Sequence, residues 1–289
     1  MKTKKHKLEA HDHLDSREFV IAVKRLADSL SYGSDSSPFL GTGSDYVQSR
    51  VYQPGDPVRL IDWRITARTG KVHVKEFEAP KQTPIYILLD TSASMCISSI
   101  GKSKYAWAVQ LATGIALAAQ ERMSPVGVLG CGESELHVKP TLSRSIVYQW
   151  SHHLRYHDFH EKTSLTQSIR ELIPSLKNKC LIFVLSDLHD NGVLDALKLL
   201  SQKHDTVVLQ LQDPVEKGAI GGGIFRGQEA ETKREFVAHG RSKWFDDRAI
   251  GHALKHCGID HLLLPTDKPF LQQLRTFLKS RDYFGKGAR

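Results

Sequence analysis

Cysteine is scarce in this chain. Cys96, Cys131, Cys180 and Cys257 are far apart and form no Cys-x-x-Cys pair. Three stand in or beside apolar runs, where a reduced thiol behaves as a small hydrophobe. That reading goes with a reducing compartment. Long hydrophobic runs are absent as well: no stretch reaches the ~20 residues a membrane span needs. The basic start, Met1 to Lys7, is not followed by the apolar core of a signal peptide. Together these point to a cytoplasmic protein without membrane insertion. Catalytic and nucleotide-binding strings are missing too. There is no Gly-x-Ser-x-Gly nucleophile elbow. Gly101-Lys102-Ser103 lacks the upstream glycine of a phosphate loop, because Cys96 stands in its place. The run Gly218 to Gly223 lacks Gly-x-Gly-x-x-Gly spacing and reads as a surface connection. His152, His153, His157 and His160 have no cysteine nearby and read as solvated.

What the chain does contain is an ordinary globular composition, 40% hydrophobic and 25% charged, with one dense cluster of oxygen donors. Asp90-Thr91-Ser92-Ala93-Ser94 directly follows Ile85-Tyr86-Ile87-Leu88-Leu89. An unbroken apolar run of that kind predicts a strand buried on both faces. In open α/β sheets, ligands bind at the carboxyl ends of such strands. Carboxylate and hydroxyl oxygens are the hard donors that Mg2+ and Ca2+ select. A net charge of +8 permits contact with acidic surfaces or nucleic acid without choosing between them.

The rest of the chain is read as follows. Leu14, Phe19, Val20, Val23, Leu26, Ala27 and Leu30 predict a helix over 12–32. Residues 31–45 have loop composition. Short strands are predicted at 46–53 and 71–79, with Pro54-Gly55-Asp56-Pro57 as a turn between them. From residue 84 onward, strands and helices alternate. Strands are predicted at 84–90, 126–130, 135–139, 180–185, 206–211, near 233–238 and at 260–264. Helices are predicted at 103–122, 143–154, 164–176, 192–202, 244–257 and 267–280. This alternation predicts a doubly wound, mostly parallel α/β sheet. The implied organisation is an N-terminal helix and β-rich segment over 1–82, an α/β domain over 83–281 and a tail over 282–289. Lys102 or Lys104 is expected at the entrance to the helix, near solvent.

Such a sheet brings strand ends to one edge. Asp90 ends one strand, Asp187 in Leu185-Ser186-Asp187-Leu188 ends another, and Glu161-Lys162-Thr163-Ser164 supplies a loop hydroxyl. The set resembles the metal-ion-dependent adhesion site of von Willebrand factor A domains, whose pattern is Asp-x-Ser-x-Ser, a later Thr and a later Asp. The resemblance implies a Rossmann-like fold and makes Asp90, Ser92, Ser94, Thr163 and Asp187 the metal residues. It also implies hydroxyls touching Mg2+ (or Mn2+ or Ca2+), aspartates acting through water, and a last position filled by a partner's acidic residue. The family often has Gly-Gly before its threonine, where this chain has Glu161-Lys162, so Thr163 and Ser164 both stand as candidates.

A longer stretch is still more specific. Arg50 to Arg68, with Tyr52, Gly55, Asp56, Arg59, Asp62, Trp63 and Arg68, is similar to the signature of domain-of-unknown-function family fifty-eight, bacterial proteins that carry a von Willebrand factor A-like domain. Val74 to Glu78, Asp213-Pro214-Val215-Glu216 and the helix from Phe270 to Arg281 extend the likeness, so that it covers Gly41 to Arg281. Physically, the segment's acids and arginines suit charge-assisted hydrogen bonds that fix a small element against the main domain, with Trp63 and Tyr52 supplying apolar area. Its other reading is a docking surface. The resemblance implies an accessory protein that binds others through a divalent metal beside a MoxR-type AAA+ ATPase. The alternative is a metal-assisted phosphoester hydrolase with His189 as base. Nucleic-acid binding through a basic face ranks below both. The Leu89-Asp90-Thr91-Ser92-Ala93 string also matches an aspartic protease, but no second such aspartate exists to share the proton.

Overall fold

The computed structural model describes residues 16–31, 46–77, 83–96, 98–99, 101–121, 123–131, 136–156, 164–217, 224–228, 235–239 and 247–283. Apolar residues at helical spacing fold as α1 (Ser16–Ser31), which buries Phe19, Val23, Leu26, Ala27 and Leu30. A small unit follows: β1 (Tyr46–Val51), α2 (Trp63–Thr69) and β2 (His73–Phe77), with β1 and β2 antiparallel. The connection between the strands is more than the predicted turn. After Pro54–Pro57 the chain makes a 3-10 turn, Val58–Leu60, and then α2. Asp62 caps α2, accepting from the N–H groups of Arg64 and Ile65, and takes a third bond from Ser49 Oγ at 2.9 Å. Gly70, at φ 71, closes the helix in the left-handed region that glycine adopts without strain.

The acids of this segment hold it together, as the sequence suggested. Asp56 takes a bidentate pair from Arg50 at 2.7 and 2.8 Å, besides the N–H of Gln53. The expectation for Trp63 fails. Its side chain is 68% exposed, so it is not apolar filling against the main domain. Among the described residues, Arg59, Arg64 and Arg68 are exposed and join no ion pair.

The large sheet is built from β3 (Ile85–Leu89), β4 (Val126–Gly130), β5 (His137–Thr141), β6 (Leu181–Ser186), β7 (Asp205–Gln212) and β10 (Asp260–Pro265). Its order is β10-β7-β6-β3-β4-β5, parallel throughout except for β5, which returns antiparallel on β4. The helices between are α3 (Lys104–Glu121), α4 (Arg144–Leu154), α5 (Leu165–Ser175), α6 (Val193–Lys203), α7 (Asp247–His256) and α8 (Leu271–Tyr283). β8 (Ile224–Gln228) and β9 (Glu235–His239) form a separate antiparallel pair. The sequence reads as a glycine-rich connection over 218–227, but its described residues, from Ile224 on, belong to β8.

Strand residues alternate between two cores. Ile85, Ile87 and Leu89 meet α1, α3, α4 and α8, whereas Tyr86 and Leu88 meet α5, α6 and α7. The doubly wound, mostly parallel sheet expected from the sequence is thus the one observed, with helices on both faces. α3 is buried nearly all round because α1 lies on its outer side. A notch at Gly114 admits α1: a Cβ there would stand 2.4 Å from Leu26 Cδ2. From β3 the chain leaves through α3, on one face, to reach β4, and it reaches β6 through α5, on the other face. The crevice between the carboxyl ends of β3 and β6 is therefore the topological switch point. No helix among the described residues is long and apolar enough to cross a membrane.

Candidate metal centre

Asp90 follows the last residue of β3, with its N–H bonded to Leu185 O on the neighbouring β6. That bond fixes the aspartate at the switch point. Its side chain is 2% exposed. One oxygen accepts from Ser92 N at 2.9 Å and the other from Ser186 Oγ at 2.5 Å. Among the described residues no cation pairs with it. Burial, and the Asp187 carboxylate behind it, push its pKa up to about 6. The chain then turns through Ser92 and Ser94, whose hydroxyls lie 2.9 Å apart. The Ser94 hydroxyl also helps to hold the Asp187 carboxyl below its usual range.

Asp187 follows β6 and is as deeply buried, at 1% exposure. Ser186 Oγ, Leu188 and His189 shape this end: Leu188 N donates to Ser186 Oγ, and His189 N donates to Asp187 Oδ1. Leu188 itself sits at φ 62, in the left-handed region that non-glycine residues enter at a cost. Four of the residues singled out from the sequence, Asp90, Ser92, Ser94 and Asp187, are thus linked by hydrogen bonds or direct electrostatic contact. Thr163 lies outside the described residues. Ser164 is spoken for elsewhere. It caps α5, accepting from Gln167 N, and donates to Asp190 Oδ2 at 3.2 Å.

Lys104 was not foreseen. Rather than lying near solvent, it is fully buried at the first residue of α3. Its ammonium donates to Asp187 Oδ2 at 2.7 Å and also to Glu216 Oε1. Burial works against its charge, but the two carboxylates outweigh it and hold the lysine pKa above its ordinary value. Burial likewise opposes ionisation of Asp187, yet Lys104, then His189, hold its carboxyl below the usual range. For Glu216 burial wins and its pKa rises.

One sequence signal pointed here. From Lys104 to Gln120, α3 carries no other charge, and a helix apolar all round is a buried helix. A lysine at its head needs carboxylates, and the positive end of the helix dipole adds to that need. Glu216 comes from the turn after β7, where its Oε2 accepts from Asp213 N. Asp213 in turn takes both the N–H and the hydroxyl of Ser99. The Asp-Pro-Val-Glu turn thus grips the lysine and, through Ser99, the loop that follows Ser94.

Asp187, His189 and Glu216 bring ligand-type atoms within 4.8 Å of one another. The Lys104 ammonium already lies between the two carboxylates of that trio. Among the described residues, Asp90 is the one of the cluster's carboxylates with no ion-pair partner. The Lys104 ammonium reaches Asp187 and Glu216, whereas the donors beside Asp90 are serine hydroxyls. A hard divalent cation fits this donor set beside Asp90, Ser92 and Ser94, where it would supply that missing charge.

Residues 48–243 match the family described as "Protein of unknown function DUF58". The chain belongs to this family. Relatives reach well beyond the matched span: uncharacterized proteins of Mycobacterium tuberculosis and Mycobacterium bovis are 25% identical over 286 residues, 92% of this chain and 88% of theirs. The protein YeaD of Bacillus subtilis is 37% identical over 62 residues, 21% of this chain and 16% of that protein. Among solved structures, the VWA domain of SpRpn10 aligns with 72% of this chain and 99% of that domain, at TM-score 0.43 and 11% identity. In this chain, Arg50 to Arg68 lie in the β1–α2–β2 unit, and Asp90 and Asp187 stand at the carboxyl ends of β3 and β6 of the large sheet.

Proposed function

We propose that this DUF58 protein is an adaptor that binds partner proteins through a divalent cation. Family membership supports a protein-interaction role at that coarse level. The finer reading rests on one observation: Asp90, a buried carboxylate at the switch point with no ion-pair partner among the described residues, stands beside two serine hydroxyls and a second buried aspartate. Asp90, Ser92, Ser94 and Asp187 would hold Mg2+, with Thr163 as the loop hydroxyl. The chain's own part is to keep the oxygens together, bury them against the sheet and leave one side open to a partner's carboxylate.

The partner expected from the family resemblance is a MoxR-type AAA+ ATPase. The exposed Arg59, Trp63 and Arg68 of the β1–α2–β2 unit supply a second contact surface, held in shape by Asp56 and Asp62. His189, 3.4 Å from Asp187, is what a phosphoester hydrolase reading would rest on. Its Asp187 partner is already engaged with Lys104, which favours binding over catalysis.

The direct test is Mg2+ titration calorimetry near pH 7.5. Wild type is expected to bind, and Asp90→Ala to lose at least ~10-fold in affinity. Equal affinities would reject the assignment.

A further inference from the structure

Lys104 is costly to keep. It is buried, it stands at the positive end of a helix, and it loses rotamer freedom. Next to a site suited to a divalent cation it also repels that cation. Two like charges of +1 and +2 a few ångströms apart interact strongly even at the effective dielectric of a protein interior. A lysine that only stapled the fold would serve equally well away from Asp187. Here it takes one oxygen of Asp187, and its other carboxylate, Glu216, is held by the Asp213 turn. Asp187 is thus drawn toward α3 while still in contact with Ser94.

We infer that Lys104 is a built-in counter-cation that sets the strength of the ion site: it withholds Asp187 charge from the ion, and Glu216 limits how much it withholds. This rests on the reading of Asp90, Ser92, Ser94 and Asp187 as the ion's residues. Lys104 is a positioning residue, acting on the ion through Asp187. The consequence is a site of deliberately moderate affinity, whose ion keeps positive charge available to an incoming carboxylate. Glu216 acts in the opposite sense. By competing for the ammonium it lets part of the Asp187 charge reach the ion.

The two residues therefore have opposite expected effects, which a purely structural role would not produce. The probe is Mn2+ alone, titrated against the full chain and read by electron paramagnetic resonance of the free ion. Lys104→Met keeps the apolar stem and removes the charge; it is expected to tighten Mn2+ binding by at least ~10-fold. Glu216→Gln gives the ammonium wholly to Asp187 and is expected to weaken binding roughly 3- to 10-fold. Should Lys104→Met fold poorly, Glu216→Gln still decides, because loosening a mere staple would not leave stability intact while affinity falls. If wild type binds Mn2+ in an Asp90-dependent manner but both variants match it, or both weaken together with loss of stability, the inference about Lys104 is overturned and the site reading stands. If neither wild type nor variants bind, both fall.

Discussion

Lys104→Ala is expected to lose about 3–5 kcal/mol of folding stability, measured by urea unfolding at pH 7.5. The reason is the asymmetry of buried ion pairs. Forming one adds little, since desolvation offsets attraction, but removing one partner strands the other. Here two carboxylates would be stranded, Asp187 at 1% side-chain exposure and Glu216 at 8%. The truncation also opens a void at the head of α3. Against a typical total of about 5–15 kcal/mol, this is a large fraction. Lys104→Met should cost less, because its stem still packs. Adding Glu216→Gln to it should recover part of the loss, since one of the two stranded charges is then neutral. A useful control is the surface pair Arg144–Glu121, 3.7 Å apart with the arginine 59% exposed. Arg144→Ala is expected to change stability by less than ~1 kcal/mol. Equal effects at the two lysine and arginine positions would mean that Lys104 is not buried as described.

Asp90→Asn is expected to behave in the opposite way: without divalent cation it stabilises the protein. A carboxyl whose pKa rises from 3.8 to about 6 on folding binds its proton more tightly in the folded state. At pH 7.5 both states are ionised and folding carries the full penalty, on the order of 3 kcal/mol. As pH falls through about 6 the folded state takes up its proton and the penalty shrinks, vanishing below the unfolded value near 3.8. Asparagine never carries the charge. Allowing for an imperfect replacement of the Ser186 bond, Asp90→Asn should exceed wild type by roughly 2 kcal/mol in chelator at pH 7.5, and the gap should close toward pH 4.5. The lowered carboxyl of Asp187 contributes stability above 3.8 that is lost only below it, outside this window. Mg2+ should reverse the order at pH 7.5, since it stabilises only the chain that binds it. Urea unfolding of both chains in chelator and in Mg2+, across pH 4.5 to 7.5, checks each part.

Much of this architecture was legible in the sequence, for identifiable reasons. β3 and β6 are continuous apolar runs followed by an aspartate, β4 is a short run free of charged residues, and the helices between them keep helical spacing, so the doubly wound sheet follows from pattern alone. The meeting of Asp90, Ser92, Ser94 and Asp187 follows in turn, because strand-end residues share an edge. What escaped notice had weak or misleading local signals. α2 is only seven residues long and is bounded by prolines and Gly70, so its period is too short to register. β8 lies against a glycine run that reads as loop. Trp63 reads from sequence either as apolar area for the small element or as part of a docking surface; its position at the first turn of a short helix leaves it exposed. Lys104 escaped because lysine is the residue least expected in a core. Only its isolation at the head of an uncharged helix marked it, and its partners lie 83 and 112 residues away.

The measurement that bears most directly on the ion site is anomalous scattering from crystals grown with Mn2+. The proposal requires a manganese peak beside the hydroxyls of Ser92 and Ser94, between Asp90 and Asp187, with Lys104 still bonded to Asp187. A peak among Asp187, His189 and Glu216 in place of the lysine ammonium, or none in crystals soaked well above the solution affinity, would contradict it.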